Sequence, residues 1–438
     1  MTAVLPSTRG PSSPPRAYSA GGSLRFLARN RFQILGALLL AVLLPNLLGP
    51  PFFQSEFQFL GRAFMRPDST VFGTALAVLV GHLILKRITI YPGARGPAYV
   101  FPVFTVAYAA VIVVFFFARF DYSRFQFLLS FILAVGWYLV VFRVERRLIR
   151  PNYLLLPFGA AGQMMRLGGA EWRVAQTPRE IPNGVTAVVA DLRADLSDDW
   201  ERMLANAALR GLPVYHFKQL SESLTGRVEI EHLSENNLGS LLPSSLYLRF
   251  QRVGDILLAI LTLPVTMPIL LLGILSVKLC DRGPVFFTQE RMGYRGKVFR
   301  IVKLRTMCVN AAASGAFTKD GDPRVTSVGR FLRKMRVDEL PQIWNILRGD
   351  MSWIGPRPEA LELSQWYERQ IPFYRYRHIV RPGITGWGAV NQGNVAEVAE
   401  ATTKLQYDFY YIKNFGLWLD LLIMAKTIRT VLTGFGSK

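Results

Sequence analysis

The stretch MRVDELPQIWNILRGDMSWIGPRPE, Met335–Glu359, sets two adjacent carboxylates, Asp338 and Glu339, among several arginines. Since proline is tolerated inside a helix only in the first turn, Pro341 predicts a helix that begins near Asp338 and runs to Arg348. Backbone N–H groups point outward at a helix N-terminus and favour anions such as phosphates. An acid there is usually only a helix cap, but a second acid beside it and the nearby arginines favour a phosphate site.

The composition is typical of a membrane protein with anionic partners. The chain has 438 residues, of which 51% are hydrophobic, and its formal net charge is +21. This predicts two or three domains, membrane segments, and binding to anionic lipid surfaces or phosphate-bearing substrates. No nucleic-acid recognition module is apparent, so we expect no nucleic-acid partner. Cys280 and Cys308 lack metal-ligand spacing, which argues against a zinc site or a disulfide scaffold.

Four apolar runs fill the first third of the chain, at residues 32–53, 71–85, 98–118 and 125–142. They predict four transmembrane helices within residues 32–150, preceded by a disordered Ser/Pro/Arg-rich tail, residues 1–31. Lys and Arg are concentrated in the tail, in the loop after the second run and after the fourth run. This excess predicts that both ends of the four-helix segment face the cytoplasm.

Residues 151–245 are predicted to form a soluble α/β domain. Short apolar segments at 153–159, 187–192 and 212–217 predict buried strands, and residues 197–211 predict a helix. Two glycines, Gly159 and Gly162, follow the first strand, which hints at a Rossmann-like unit. Because the full Gly-x-Gly-x-x-Gly fingerprint is absent, we favour a degenerate domain that binds no dinucleotide.

A fifth apolar run, residues 253–280, contains Pro264 and Pro268 near its middle. Each proline removes a helix hydrogen bond and favours a kink. Basic residues flank both ends of the run, which fits a helix that enters the membrane and returns to the cytoplasmic side. The local composition fits a kinked transmembrane helix equally well.

The residues after this run favour phosphate chemistry. Two carboxylates beside a phosphate site suggest Mg²⁺, which binds one or two carboxylates together with substrate phosphates. An ionised aspartate can attack phosphorus when the phosphate charge is neutralised. Residues 299–307 alternate like a half-buried strand with Lys303 and Arg305 on one face, although a solvated basic face is the common alternative. Residues 416–436 predict an amphipathic interfacial helix, with a core helix as the alternative.

From about residue 246 to residue 432 the chain resembles the bacterial sugar transferases, the monotopic phosphoglycosyl transferases. The motifs that carry the resemblance are RFQRVGDILLA, PVFFTQERMGYRGKVFRIVKLRTM, DPRVTSVGRFLRK, VDELPQIWNILRGDMSWIGPRPE, VRPGITGWGAVNQGN and YDFYYIKNFGLWLDLLIM. Family members move a sugar-1-phosphate from a nucleotide sugar, usually a UDP-sugar, to undecaprenyl phosphate and release UMP.

The resemblance implies a fold and a location. It implies a membrane protein of the α+β class, with a four-helix transmembrane bundle, a degenerate Rossmann-like domain and a catalytic domain, residues 246–438, that has a re-entrant helix. We expect a multi-pass protein of the bacterial inner membrane with its catalytic domain on the cytoplasmic face. The architecture resembles the larger subgroup that starts exopolysaccharide or capsule synthesis, which favours glucose or galactose while leaving N-acetylated sugars open.

The resemblance also assigns roles to residues. It makes Asp338 the nucleophile, with Glu339 assisting through Mg²⁺, and it places the kink of the re-entrant helix at Pro268. Both carboxylates are candidate metal ligands. The predicted substrate-binding residues are Lys303, Arg305, Arg333, Arg357, Pro358 and Arg381. Residues 381–387 are expected near the active site, although a structural turn is about equally plausible for all but Arg381.

Other functional classes are weaker. A polytopic phosphoglycosyl transferase would need more spans, and a transporter would need polar residues within its spans. A catalytically inactive membrane scaffold or regulator of polysaccharide assembly is the main alternative, and the intact acid pair argues against it. The sequence leaves the oligomeric state open, with a homodimer as one option.

Overall fold

The chain divides into two compact units, Met1–Leu83 with Val100–Arg150, and Ile84–Tyr99 with Pro151–Lys438. The predicted disordered tail, residues 1–31, lies almost wholly outside the described part of the chain. The computed structural model describes residues 29–47, 68–92, 97–148, 151–179, 181–229, 243–280, 283–309, 322–393 and 397–433.

Four apolar helices follow the four predicted runs. They are α1 (Asn30–Leu38, continued by a π-helical turn, Leu39–Leu43), α2 (Asp68–Ile88), α3 (Val100–Phe117) and α4 (Arg124–Leu148). Among the described residues, five helices are long and apolar enough to cross a membrane, and four of them lie in this part of the chain. The prediction of several apolar helices that could span a membrane is therefore confirmed, while their arrangement as a four-helix transmembrane bundle stays a prediction.

These helices approach one another closely at small residues, and polar side chains buried between them form pairs. A Cβ atom on Gly81 would lie 2.5 Å from the ring of Phe104, so only glycine allows this contact. The Nδ1 atom of His82 lies 2.7 Å from the hydroxyl of Tyr138, and both side chains are buried. Small residues at the contacts and polar groups that pair between helices are the features expected in a lipid environment.

A four-stranded parallel sheet forms the core of the α/β domain. The elements of this domain are β1 (Asn152–Leu155), β2 (Glu171–Val174), β3 (Ala187–Ala190), α5 (Asp198–Leu209), β4 (Val214–His216) and α6 (Phe217–Thr225), and the strand order is β2-β1-β3-β4. Leu154 and Val188 pack on one face of the sheet with Met203, and Leu155 and Val189 pack on the other. Burial on both faces explains the unbroken apolar runs of β1 and β3.

The turn after β1 differs from a nucleotide-binding turn. It forms a 3₁₀ helix (Gly159–Arg166) whose first residue has a φ of +57°. The N–H of Ala160 donates to Asp191 Oδ2 at 3.0 Å, and the N–H of Arg193 donates to Asp191 Oδ1 at 3.1 Å. N–H groups of the first βα turn bind the phosphates in dinucleotide-binding domains. Here a carboxylate of the protein accepts one of them, which favours the predicted absence of dinucleotide binding.

The remaining elements form the catalytic part, with an antiparallel hairpin β5–β6 and a parallel pair β7–β8. They are α7 (Ser245–Cys280), β5 (Phe286–Met292), β6 (Val298–Leu304), α8 (Ser327–Lys334), α9 (Ile343–Arg348), β7 (Ser352–Ile354), α10 (Leu361–Gln370), β8 (Gly383–Thr385), α11 (Trp387–Asn391), α12 (Val398–Lys413) and α13 (Leu417–Thr433).

Helix α7 is unbroken over 36 residues, through both Pro264 and Pro268. One face of this helix packs on the catalytic part at two places. Ala259 lies in a core with Phe299 of β6, and Val277 lies in a second core with Leu304 at the other end of the same strand. The helix therefore runs alongside β6. Its other faces expose apolar side chains, including Phe250, Leu257, Leu261, Val265, Leu272 and Leu279.

Two predicted elements differ in detail from the structure. The helix expected from Asp338 to Arg348 begins as a 3₁₀ turn (Val337–Gln342), which contains Pro341, and becomes α-helical only in α9. Strand β6 ends at Leu304, so Arg305 follows the strand rather than alternating with Lys303 within it. In α13, Leu419, Leu422 and Ile423 are fully buried, so this helix contributes one face to the core.

Candidate active site

The acid pair lies in the 3₁₀ turn Val337–Gln342, between α8 and α9. The residue before this turn, Arg336, has a left-handed backbone with a φ of +56°. Both carboxylates are buried, with Asp338 only 8% exposed and Glu339 only 6% exposed. Because a buried carboxylate is costly unless it is paired, the groups around each of the two acids decide what it can do.

Glu339 is the centre of a cluster of cations. Its Oε1 atom accepts hydrogen bonds from Lys303 Nζ at 3.4 Å, from Arg336 Nη1 at 3.5 Å and from Arg357 Nη2, and its Oε2 atom accepts from Arg357 Nη1 at 3.3 Å. Burial alone would raise the pKa of Glu339, but the charges of Arg357 and Lys303 hold it well below its usual range. Glu339 is therefore a permanently ionised anchor that holds three basic side chains together.

Asp338 has a different environment. Its Oδ1 atom is buried and has no hydrogen-bond partner among the described residues. Burial, followed by the neighbouring charge of Glu339, raises the pKa of Asp338 to about 6, although Lys303, Arg357 and Arg333 act in the opposite direction. Two adjacent acids whose pKa values are pushed apart in this way are typical of an active site with two separate roles.

The structure brings four of the six predicted substrate-binding residues to this region. Lys303 and Arg357 contact Glu339 directly. Arg333 donates from Nε to Thr306 Oγ1 at 2.8 Å, and its charge acts on Asp338. Pro358 continues the turn after Arg357.

The other predicted residues lie elsewhere. Arg381 donates from Nε to the carbonyl of Gly349 at 3.2 Å, and its guanidinium lies 5.0 Å from the ring centroid of Tyr294. The guanidinium of Arg305 extends toward Gly283, where an added Cβ atom would lie 1.9 Å from Arg305 Nη1. Pro268, the predicted kink, is exposed in the middle of α7.

Residues 381–387 support the turn that carries Arg357. The N–H of Gly355 donates to the carbonyl of Thr385 at 2.9 Å, and a Cβ atom on Gly386 would lie 2.1 Å from the carbonyl oxygen of Gly355. Only glycine permits this close approach. The indole N–H of Trp387 donates to the carbonyl of Gly226 at 2.9 Å, which joins this segment to the chain that follows α6.

Sequence reasoning left several of these residues unassigned. Arg336 was noted only as one of the arginines near the acid pair, and it contacts Glu339. Thr306, which accepts from Arg333, and a set of charges behind the Arg357 turn were missed. In α12 a buried lysine, Lys404, precedes a buried aspartate, Asp408, by four residues. That spacing places both side chains on one face of the helix, but it gives no local sign that this face is buried.

The acid pair can accommodate a divalent cation. No group of three or more His, Cys, Asp and Glu side chains suited to a metal occurs among the described residues. However, Asp338 Oδ1 has no partner and Glu339 Oε2 accepts only from Arg357 among the described contacts, so both oxygens have lone pairs to spare. Mg²⁺ typically uses one or two carboxylates and completes its coordination with substrate phosphates and water. The donor atoms of these two residues therefore suit Mg²⁺ bound together with a phosphate ligand, and the metal site stays a prediction.

The chain is similar in sequence to several known proteins. Residues 246–434 match the family model described as bacterial sugar transferase. The chain is 49% identical over 372 residues to a UDP-N-acetylgalactosamine-undecaprenyl-phosphate N-acetylgalactosaminephosphotransferase of Aeromonas hydrophila, covering 84% of this chain and 88% of the relative.

Other relatives match mainly the catalytic part. A UDP-glucose:undecaprenyl-phosphate glucose-1-phosphate transferase of Caulobacter vibrioides is 42% identical over 186 residues, which is 42% of this chain and 70% of the relative. The Escherichia coli protein of the same name is 41% identical over 192 residues, covering 43% of this chain and 40% of the relative. The matched family model, together with extensive identity across nearly the whole Aeromonas protein, shows that this chain belongs to the bacterial sugar transferase family.

Proposed function

We propose that the protein transfers a hexose-1-phosphate from a UDP-sugar to undecaprenyl phosphate and releases UMP, as the first membrane step of exopolysaccharide or capsule synthesis. The observation that carries this proposal is Asp338, a buried carboxylate with one unpartnered oxygen beside a cluster of Lys303, Arg333 and Arg357. Such a cluster suits a diphosphate. The names of the relatives supply the donor and acceptor classes.

The reaction is proposed to occur in two displacements. A carboxylate oxygen of Asp338 attacks the β-phosphorus of the UDP-sugar, and the bond from that phosphorus to the oxygen it shares with the α-phosphorus breaks, so UMP leaves. The sugar-phosphate then remains on Asp338 as an acyl phosphate. A phosphate oxygen of undecaprenyl phosphate attacks the same phosphorus, which forms the diphosphate link and restores the carboxylate. The soluble donor and the lipid acceptor need not be bound together, so ping-pong kinetics are expected.

The side chains of the site act mainly through charge. Lys303, Arg333 and Arg357 would neutralise the diphosphate and keep its β-phosphorus in line with Asp338, which is the main source of catalysis in phosphoryl transfer. Bound Mg²⁺, held by Asp338 and Glu339, would add further neutralisation of the phosphate oxygens. Glu339 fixes Arg357 through both carboxylate oxygens, so its role includes orienting that guanidinium.

N-acetylgalactosamine is the donor sugar that the comparisons favour. The resemblance of the sequence to the exopolysaccharide subgroup favoured glucose or galactose. The relative that matches nearly the whole chain is instead named for N-acetylgalactosamine, whereas the glucose-specific relatives reported above match little more than the catalytic part.

The experiment is a panel of UDP-sugars offered with undecaprenyl phosphate and Mg²⁺, scored by UMP release from purified protein in detergent. UMP release is expected with UDP-N-acetylgalactosamine. Release with only UDP-glucose or UDP-galactose would overturn the sugar assignment. No release with any donor, from protein that unfolds cooperatively, would favour the inactive scaffold.

The packing of α7 supports a helix that enters and leaves on the cytoplasmic side. This helix lies along β6, which carries the exposed Arg300 and the site residue Lys303. If α7 crossed the hydrocarbon core, which is about 30 Å thick, these charges would be placed inside it. The apolar outer faces of α7 can instead enter one leaflet while β6 stays at the membrane surface. This reasoning supports an inner-membrane protein with a monotopic catalytic domain on the cytoplasmic face.

Cysteine labelling tests this topology. In a chain with Cys280 and Cys308 replaced by serine, Lys297→Cys in the catalytic part and Arg202→Cys in the α/β domain should both resist an impermeant thiol reagent in intact cells. Asp121→Cys, in the loop between α3 and α4 that is predicted to face the periplasm, is the positive control. Labelling at position 297 but not at position 202 would show that α7 crosses the membrane.

The pH dependence should report the ionisation of Asp338. Because the attacking form is the carboxylate and burial raises its pKa to about 6, kcat/KM for the donor should fall as the pH drops through about 6. The pH profile from pH 4.5 to 8 of UMP release at low donor concentration measures this. A kcat/KM that stays nearly level down to pH 4.5, as an aspartate with the usual pKa of about 3.9 would give, would contradict the raised pKa.

A further inference from the structure

A buried charge cluster lies directly behind the turn that carries Arg357. Its members come from β5, from the residue that follows Pro358, from the 3₁₀ turn Tyr374–Ile379 and from α12. They are Arg291, Glu359, Arg377, Lys404 and Asp408. The two-step reaction proposed above assigns none of them a role.

Arg377 is the centre of this cluster and is only 3% exposed. Its Nη2 atom donates to the main-chain carbonyl of Arg357 at 2.9 Å and lies 2.8 Å from Asp408 Oδ2 in an ion pair. Its Nη1 atom donates to the hydroxyl of Tyr374 at 2.5 Å. One planar guanidinium thus links the turn to two other elements, which the single ammonium of a lysine could not do with the same geometry.

The two residues after Arg357 are held in a similar way. Arg291 Nη1 donates to the carbonyl of Pro358 at 2.8 Å, and Lys404 Nζ donates to Glu359 Oε1 at 2.7 Å. Three consecutive residues are therefore fixed by three different cations. The side chain of Arg357 extends from the other side of this turn, where it contacts Glu339 and the carbonyl of Ile384.

A buried arginine contributes little net stability, because removing its charge from water has a high free-energy cost. Apolar side chains of similar volume often stabilise a core as well as a buried ion pair does. In addition, the guanidinium of Arg377 holds the main-chain carbonyl of Arg357 in a defined position. Functional side chains need this kind of support, because small displacements from the productive geometry lower activity strongly.

We propose that Arg377 is a positioning residue, which fixes the backbone of Arg357 so that the guanidinium of Arg357 faces both Glu339 and the diphosphate of the donor. This inference rests on the proposed function, in which Arg357 contacts the donor. Arg377 itself touches no substrate and acts only through Arg357.

A double-mutant cycle on UDP binding tests the proposal. UDP with Mg²⁺ is the probe because it carries the diphosphate shared by all UDP-sugar donors, and binding is measured by calorimetry on the full chain in detergent. Arg377→Gln should weaken UDP binding about fivefold or more when Arg357 is present, and less than about twofold in the Arg357→Gln background. An equal loss in both backgrounds would overturn the proposal, since it would show that Arg377 acts independently of Arg357.

Further variants separate positioning from stability. Arg377→Gln leaves Asp408 buried without its cation, which lowers stability, so Arg377→Met combined with Asp408→Asn removes both charges together. This double variant should unfold at nearly the wild-type temperature yet lose UDP affinity as Arg377→Gln does. Wild-type UDP affinity in the folded double variant would contradict the proposal.

The control is Arg375→Gln, two residues away, whose exposed side chain forms an ion pair with Glu368 at 3.8 Å. It removes the same charge and should leave UDP binding unchanged.

A failure of the proposed function would give a different result. If Arg357→Gln alone leaves UDP binding unchanged, both the role of Arg357 in donor binding and the positioning role of Arg377 are wrong.

Discussion

Asp338→Asn should abolish turnover, with UMP release falling by about four orders of magnitude or more. The amide has the size of the carboxylate but is not a nucleophile, so the first displacement cannot take place. Asp338 is buried, and its Oδ1 atom has no hydrogen-bond partner among the described residues. No described side chain is therefore bonded at this position to act as the nucleophile instead. Initial rates of UMP release from purified protein measure the effect.

The matched control is Asp350→Asn, in the same stretch of sequence. Asp350 lies 3.7 Å from Arg348 in an ion pair whose arginine is mostly exposed, and exposed pairs contribute little. Its replacement should leave the rate within about a factor of two. A residual rate above about one per cent in Asp338→Asn, with the control unchanged, would show that Asp338 is not the nucleophile.

Glu339→Gln should have the second largest effect, on both activity and stability. The carboxylate balances Lys303, Arg336 and Arg357, and the amide would leave these three cations close together without a counter-charge. Removing one partner of a buried charge cluster costs about 3–5 kcal/mol. We expect UMP release to fall by about 100-fold, a lower unfolding temperature and a higher Mg²⁺ requirement.

A suitable control is Glu290→Gln, since Glu290 pairs with the exposed Arg300 at 3.5 Å on the hairpin surface. It should change neither the unfolding temperature nor the rate. If Glu339→Gln had unaltered activity and an unaltered Mg²⁺ dependence, Glu339 would have no role in the active site.

Elements with strong local patterns could be predicted from the sequence. The apolar runs of α1 to α4 indicated long apolar helices, and those of β1 and β3 indicated buried strands. The edge strand β2 was missed because three of its four residues are exposed and its sequence, EWRV, has no apolar run. The 3₁₀ start of the turn at Asp338 was also missed, because proline predicts the start of a helix but not its type.

That basic residues surround the acid pair could be predicted, but not which of the two acids they contact. Adjacency and nearby basic residues indicated Asp338, Glu339 and Arg357. Which acid would be held by cations and which would keep a free oxygen depends on chain segments far apart in sequence, such as β6 and the turn after β7. The contacts of Arg377 depend in the same way on the packing of α12, so no local pattern could have assigned them.

In the proposed mechanism the sugar-phosphate is carried covalently on Asp338. The most direct measurement is mass spectrometry of the enzyme quenched after mixing with UDP-sugar and Mg²⁺, in the absence of undecaprenyl phosphate. We expect a sugar-phosphate adduct on the peptide that contains Asp338, released when undecaprenyl phosphate is added and missing from Asp338→Asn. An active enzyme that shows no adduct and follows sequential kinetics would contradict the covalent mechanism and leave Asp338 only as a metal ligand.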